Sequence, residues 1–142
     1  MRLATTLALG AAFLMLAAAP ALAGEVRIYK GGSSWATIES DGDVYVGGSR
    51  KGKVESDGDV YVGGSRKGKI ESDGDLYDGG SRVGEIESDG DVYKGGSRVG
   101  EIERDGDIYK GGSRWGKAEG CDTWEESRAV LAVLYFFDSG YF

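Results

Sequence analysis

The sequence predicts an all-β protein in which short antiparallel β-hairpins form a closed radial array. Three observations support this prediction: a 16-residue repeat, two glycine-rich turn signals in each copy, and aliphatic residues at fixed repeat positions. No part of the repeat has the 3.6-residue period of an amphipathic helix. A hairpin of this size is not stable alone in water, so repetition lets neighbouring hairpins bury one shared core.

Five full copies of the repeat follow one another over residues 38–117. The first reads IESDGDVYVGGSRKGK from Ile38. Residues 28–37 are the back half of a further copy, and AEG at 118–120 is the worn front half of another. If the chain closes, these halves complete a sixth unit and hide both open strand edges. An open β-solenoid of 16-residue coils is the alternative.

Two turn signals divide each copy. Asp41-Gly42 predicts a tight hairpin turn, because glycine accepts a positive φ. The stretch 47–52 predicts a second, looser turn. The strands predicted for the second copy are therefore 53–56 and 59–62.

Comparison of the copies separates the predicted core from the predicted surface. The positions of Ile38 and Val44 are aliphatic in every full copy, and Tyr45 recurs unchanged. We therefore expect these aliphatic and tyrosine side chains in the core. Val46 becomes Asp78 two copies later, which predicts a solvated site. The register stays open: a two-residue turn pairs Ile38 with Tyr45, and a three-residue turn with a bulge pairs Ile38 with Val44.

The pattern G-x-(I/V)-E-x-D-G-x-(I/V)-Y-x-x-x-x-R-x-G resembles that of the bacterial β-flower repeat proteins, the group described as four-fold or five-fold β-flowers. The resemblance covers residues 28–120. It implies a small radial all-β fold of hairpin petals, and it implies no activity. Five full copies and two halves leave five-fold and six-fold closure open.

The first 23 residues predict an export signal that is cleaved off. Arg2 gives a positive start, residues 3–19 form an apolar run, and residues 21–23 read Ala-Leu-Ala, a cleavage pattern. A membrane anchor is the alternative, but the run is short for a span. The style of the signal is bacterial, so we expect an exported protein of the periplasm or the exterior. The predicted repeat domain is 24–120, followed by an apolar segment, 121–142.

Composition excludes several functional classes. The chain has 142 residues, a net charge of −7 and no histidine. Negative charge argues against nucleic acid and against adsorption to anionic lipid. The lack of histidine removes the usual general base near neutral pH and the commonest metal ligand. Cys121 is alone, so we expect a small buried or idle residue; an intermolecular bridge or a reactive thiol is the alternative.

The repeat itself predicts no catalytic, cofactor-binding or metal-ligating residues. Asp41 and its counterparts invite a calcium interpretation, but neither the EF-hand spacing nor a nine-residue calcium repeat is present. Aspartate at a turn is explained by hydrogen bonding to its own backbone. Carboxylates repeated on exposed turns lack the asymmetric environment that acid–base catalysis needs. The recurring tyrosine is interpreted as core, with a sugar-stacking groove as the alternative.

Alternating strands would place every Asp-Gly turn on one rim of the array, which is then acidic, and every Ser-Arg turn on the other. The residues expected to make that second rim basic are Arg50, Lys51, Arg66, Lys67, Arg82, Arg98 and Arg114. Charged rims of this kind are explained by the solubility that surface charge gives a protein. A platform for an acidic polymer, or for head-to-tail stacking, is the functional alternative.

The C-terminal segment departs from the repeat. Thr123 and Glu126 form a capping-box signature, and residues 128–137 are apolar nearly all round. We expect a helix or strand that plugs the array, and a membrane-surface or partner contact is the alternative. The residues predicted to bury against the repeat tyrosines and aliphatic side chains are Val130, Leu131, Val133, Leu134 and Phe137.

These observations together predict an exported, non-catalytic structural or interaction module of the bacterial cell envelope. The alternative is a module that binds a glycan or a divalent cation through the repeated tyrosine and aspartate positions. The expected partners are an envelope protein or a glycan, and no cofactor is predicted.

Overall fold

A computed structural model describes residues 22–142. The predicted export signal therefore lies outside the described residues, except for its last two positions. Twelve strands form one closed antiparallel barrel in which each strand pairs with its neighbours in sequence. The strands are β1 (Val26–Lys30), β2 (Ser33–Ile38), β3 (Asp43–Val46), β4 (Ser49–Val54), β5 (Asp59–Val62), β6 (Ser65–Ile70), β7 (Asp75–Asp78), β8 (Ser81–Ile86), β9 (Asp91–Lys94), β10 (Ser97–Ile102), β11 (Asp107–Lys110) and β12 (Ser113–Glu119).

The two half-copies close the barrel, as predicted. β1 pairs with β12, and Ile28 lies opposite Ala118 at the centre of that pairing. The twelve strands are thus six hairpins, so closure is six-fold and the solenoid alternative is wrong. Closure leaves no unpaired strand edge in the barrel.

The Gly-Gly turn is the tighter of the two turns, which corrects the prediction. Only Gly47 and Gly48 separate Val46 from its partner Ser49. Their φ angles are 60° and 85°. A two-residue hairpin turn with positive φ at both central positions is type I′, which matches the right-handed twist of the flanking strands.

The Asp-Gly turn has three residues, Ser40 to Gly42, and ends in a bulge. The Gly42 amide donates to the Glu39 carbonyl at 2.8 Å, and Gly42 has a φ of 95°. Ile38 consequently pairs with Val44, which settles the register. This is a type I turn closed by a glycine in the left-handed region.

A second bulge follows each Gly-Gly turn. Val44 pairs with Gly52 and Tyr45 pairs with Arg50, so Lys51 is an extra residue on β4. The pairing therefore begins at Ser49, and the predicted strand 53–56 is wrong; the predicted strand 59–62 is confirmed as β5. The glycine-rich stretch looked like a loop because its bulge carries small and charged residues.

Strand alternation decides which repeat residues enter the core. Val44 is buried, and Tyr45 next to it is half-buried on the outer wall. The prediction of core tyrosines is therefore wrong, although the aliphatic positions are confirmed. The buried aliphatic residues of the full copies are Ile38, Val44, Val54, Val60, Ile70, Leu76, Ile86, Val92, Ile102 and Ile108.

The C-terminal segment forms helix α1 (Trp124–Phe136), which fills the barrel. Its predicted capping box is present: Thr123 Oγ1 accepts from the Glu126 amide at 3.1 Å, and Glu126 Oε1 accepts from the Thr123 amide at 3.1 Å. The predicted plug is confirmed, since Val130, Leu131, Val133, Leu134 and Phe137 are all buried in one core with the repeat aliphatics. Over residues 22–142, no helix has both the length and the apolar character for crossing a membrane.

Candidate functional site

The outer wall of the barrel carries one charge pair in five of its six hairpins. Arg50 Nη2 donates to Asp43 Oδ1 at 2.9 Å, and this hydrogen bond lowers the pKa of the Asp43 carboxyl. The first hairpin departs from the pattern, because Arg27 and Ser34 occupy the two positions. The equivalent pairs, with distances of 2.9, 3.0, 2.8 and 3.1 Å, are Arg66–Asp59, Arg82–Asp75, Arg98–Asp91 and Arg114–Asp107.

Half-buried tyrosines stand between charged residues on the same wall. Tyr61 has Lys53 as its partner on one neighbouring strand and Arg66 on the other. One of the two strand partners of each tyrosine is thus a cation that also forms a charge pair, as Arg66 does with Asp59. The six equivalent tyrosines are Tyr29, Tyr45, Tyr61, Tyr77, Tyr93 and Tyr109.

Carboxylates cluster at the rim formed by the Asp-Gly turns, here called the Asp-Gly rim. In the first turn, oxygens of Glu39, Asp41 and Asp43 lie within 4.8 Å of one another, and four further turns repeat this cluster. Asp41 Oδ1 accepts from the Asp43 amide at 3.0 Å, while Asp43 also pairs with Arg50. Both aspartates therefore support the turn and the hairpin, as turn chemistry predicts.

The opposite rim, formed by the Gly-Gly turns and here called the Gly-Gly rim, receives the end of the chain. Tyr135 Oη donates to Asp78 Oδ2 at 3.0 Å, and Lys110 Nζ donates to the Gly140 carbonyl at 3.0 Å. Asp78 and Lys110 occupy the position of Val46, which is itself half-buried against the core. The predicted solvated position is confirmed for Asp78, Lys94 and Lys110, which are exposed, whereas Val46 and Val62 are half-buried against the core. Asp78 and Lys110 also bind different parts of the asymmetric tail.

The Gly-Gly rim is less basic than predicted. Its arginines reach back along the wall to aspartates of their own hairpins, as Arg82 does to Asp75 at 3.0 Å. Lys51 and Lys67 are exposed, and neither makes an ion pair within the part of the chain that the structure describes. The free positive charge of this rim is carried by such lysines.

One groove on the outer wall breaks the six-fold pattern. It lies between β2 and β3, has a volume of about 350 Å³, and is lined by Trp35 and Tyr45. The rings of Trp35 and Trp115 meet edge to face at 6.3 Å. The sequence signal for this groove is the stretch GGSSWAT, where the full copies read GGSRKGK, GGSRVGE or GGSRWGK.

Clefts open at the Asp-Gly rim, beside the start of α1. One of about 460 Å³ lies along Trp124 and two acidic turns. Another has a volume of about 490 Å³ and lies between Arg128, Glu125 and two acidic turns. Arg128 Nη1 donates to the Glu71 carbonyl at 3.1 Å, and partial burial lowers the pKa of this guanidinium. A third cleft, of about 220 Å³, lies on the side of Trp124 and Ser127.

Cys121 lies at the point where the chain leaves β12 for the barrel interior. Its side chain is buried, and its Sγ is 3.6 Å from Ser127 Oγ. Burial raises the pKa of the thiol to about 11. A buried neutral thiol packs as a small apolar residue, which matches the structural interpretation.

Comparisons with known proteins add no relative to this description. No family model, no curated protein and no solved structure matches the chain.

Proposed function

We propose that this chain is exported after removal of residues 1–23 and serves as a non-catalytic structural or interaction module of the bacterial cell envelope. Its place would be the periplasm or the cell exterior. The proposal includes membership of the β-flower group as a six-fold form, because the resemblance implies hairpin petals around an axis. Six hairpins around one helix agree with that implication.

The observation that carries the proposal is the filled interior of the barrel. Leu131 and Val133 are both 0 % exposed in the centre of the ring. The interior of a barrel is a common place for a ligand, and here the chain's own helix occupies it. The surfaces left for a partner are the outer wall and the two rims.

The repeated wall supports an interaction role over catalysis. Each full hairpin presents a similar set of tyrosine, arginine and aspartate, so several equivalent contacts are offered to a polymeric or multivalent partner. Catalysis by paired carboxylates requires two groups with different environments in one pocket. Asp59 and its counterparts are instead half-buried on the outer wall, each with one arginine partner.

Export is tested by expressing the full chain in a bacterium and comparing it with the double variant Leu14→Arg and Leu16→Arg. Two charges in the apolar run should prevent recognition of the signal. We expect the unaltered chain in the envelope or exterior fraction with Gly24 as its first residue. The variant should stay in the cytoplasm at full length. Uncleaved, cytoplasmic protein from the unaltered chain would contradict the proposal.

The interaction role is tested by cross-linking the exported chain to envelope components. The triple variant Tyr61→Ser, Tyr77→Ser and Tyr93→Ser alters the wall and leaves the core aliphatics in place. We expect the unaltered chain to capture a component that the variant loses. The purified chain would be an enzyme instead if it converted an envelope substrate and lost this activity when a single acidic residue was replaced.

Divalent-cation binding is the second candidate, and the five carboxylate clusters are the observation that favours it. A cation that binds only the folded chain raises its free energy of unfolding by RT ln(1 + c/Kd) for each site, where c is the concentration of free cation. A gain of more than about 1 kcal/mol at millimolar calcium, lost in the variant Asp57→Asn with Asp73→Asn, would favour this candidate. An unchanged melting curve would remove it.

A further inference from the structure

We infer that the groove between β2 and β3 binds a neutral oligosaccharide. The inference names a partner class for the interaction module and therefore rests on the proposed function. The groove is a single, asymmetric feature of an otherwise repetitive wall. Its volume of about 350 Å³ is at the lower end of the range for small-ligand sites.

Three residues of β2 shape the groove. Two of them, Ser34 and Thr37, have no counterpart in any full copy, and Trp35 is matched only by Trp115 of the fifth copy. Ser34, Trp35 and Thr37 occupy the positions of Arg50, Lys51 and Lys53 on β4. In every full copy the position of Ser34 is an arginine, and that of Thr37 is a lysine or a glutamate. Short hydroxyl side chains on β2 thus leave space beside Tyr45, which pairs directly with Thr37.

The bulge on β2 adds an indole to this space. Trp35 is the extra residue between Ala36, which pairs with Ile28, and Ser34, which pairs with Tyr29. Its ring is half-buried, lines the groove and rests edge-on against Trp115. A neighbouring aromatic on one side restricts the indole to few orientations. The site is therefore partly organised before a ligand binds.

The chemistry of the lining matches a sugar. Trp35 and Tyr45 present aromatic surface for the apolar C–H face of a sugar ring, and both have a polar atom for a hydrogen bond. The hydroxyl groups of Ser34 and Thr37 donate or accept, and the carboxylate of Glu39 accepts from sugar hydroxyls. The exposed lining is more polar than apolar, which suits a ligand whose surface consists largely of hydroxyl groups.

The charge of the lining selects a neutral ligand. No lysine or arginine is among the described residues that line the groove, whereas Glu25 and Glu39 are. An anionic glycan would meet the carboxylates of Glu39 and Glu25, of which Glu25 already has a cation beside it, Arg27 at 2.9 Å. A cationic peptide would find the half-buried Glu39 and the paired Glu25, and each such contact contributes little in water. Stacking on the aromatic pair, rather than charge, is therefore expected to dominate.

The experiment titrates the exported chain, purified from cells, with sugar trimers while tryptophan fluorescence and heat of binding are measured. The neutral probes are trimers of N-acetylglucosamine, of β-1,4-linked glucose and of α-1,4-linked glucose; a heparin fragment is the anionic probe and a Lys-rich peptide the cationic one. We expect saturable binding of at least one neutral trimer, with one site per chain. Exclusive binding of the heparin fragment or the peptide would overturn the inference.

Two loss variants and one gain variant locate the site. Trp35→Lys and Thr37→Lys each install a residue that full copies carry at the same position, so both should fold. We expect each to weaken trimer binding at least about tenfold, which corresponds to ~1.4 kcal/mol of binding energy. The triple variant Arg50→Ser, Lys51→Trp and Lys53→Thr copies the groove onto β4, beside Tyr61, and we expect two sites per chain. Unchanged binding by Trp35→Lys would place the sugar elsewhere and overturn the inference.

Failure of this inference is distinguishable from failure of the proposed function. If no neutral trimer binds and the chain still captures an envelope component through its tyrosine wall, the glycan inference is wrong and the module remains. If the chain binds no neutral trimer and captures no envelope component, the glycan inference and the proposed interaction role are both wrong.

Discussion

The ring of Phe137 lies over Gly52, with its Cζ 2.8 Å from the point where a Cβ on that residue would stand. Phe136 bears the same relation to Gly68 at 2.6 Å. The glycine of the repeat and the aromatic residues of the tail thus occupy one shared volume. Neither the ring of hairpins nor the helix is complete without the other.

Substitution of Leu131 tests the helix as the core of the barrel. Leu131 is fully buried, so Leu131→Ala leaves a cavity inside the ring. We expect a loss of about 2–5 kcal/mol in the free energy of unfolding. Denaturant unfolding measures this, with Lys51→Ala on the exposed bulge as the control, expected within about 0.5 kcal/mol of the unaltered chain. Equal effects of the two substitutions would contradict the central position of the helix.

Two glycines of one copy should respond differently to the same substitution. A Cβ at Gly68 would meet the Tyr77 carbonyl oxygen as well as the Phe136 ring, whereas a Cβ at Gly64 has nothing within 4 Å. We therefore expect Gly68→Ala to lower the melting temperature strongly and Gly64→Ala to leave it nearly unchanged. The melting curves of the two variants provide the comparison. A small change in the melting temperature of Gly68→Ala would mean that Gly68 does not lie this close to the Tyr77 carbonyl.

The charge pair of Asp43 and Arg50 predicts a small loss of stability in acid. The Arg50 hydrogen bond lowers the pKa of Asp43 in the folded chain, so its contribution is present above the ordinary carboxyl pKa of about 3.9. It is lost as the pH falls through the lower folded value. We expect Asp43→Asn to cost about 0.2–1 kcal/mol at pH 7 and less at pH 2, measured by urea unfolding. A cost that is the same at both pH values would refute the assignment.

Cys121 predicts a loss of stability in alkali. Burial raises the thiol pKa from 9.0 to about 11, so the unfolded chain ionises first as the pH rises. The stabilising contribution is complete below pH 9 and declines between pH 9 and 11. We expect the melting temperature of the unaltered chain to fall more over this range than that of Cys121→Ala. Tyr141→Phe is the control. The pKa of Tyr141 is raised to about 12, so its ionisation changes the stability at a higher pH than that of Cys121 does.

The parts of the fold that the sequence predicts correctly depend either on a local motif or on the exact repetition of the 16-residue unit. Closure was predictable because residues 28–37 and 118–120 are complementary halves, and the helix cap because Thr123 and Glu126 form a local motif. The side of the wall that Tyr45 occupies was not predictable, because aromatic residues suit either face of a strand whose register is unknown. The three-residue turn that ends at Gly42 sets that register, and the sequence alone also allowed a two-residue turn.

The groove was missed for a different reason. Ser34, Trp35 and Thr37 form no motif, and their importance appears only when β2 is superimposed on the other strands that precede an Asp-Gly turn. Their departure from the repeat was visible in the sequence. That the three departures meet beside Tyr45 depends on pairing between β2 and β3.

Hydrogen exchange of backbone amides tests most directly the claim that one closed ring folds around its own C-terminal helix. Amides buried in a single cooperative unit exchange only when the whole unit opens. We expect the amides of Val130–Leu134, of β1 and of β12 to exchange with the same free energy as those of β5 and β6. Helix amides that exchange rapidly while β5 and β6 remain protected would contradict the claim, because the barrel would then stand without its core.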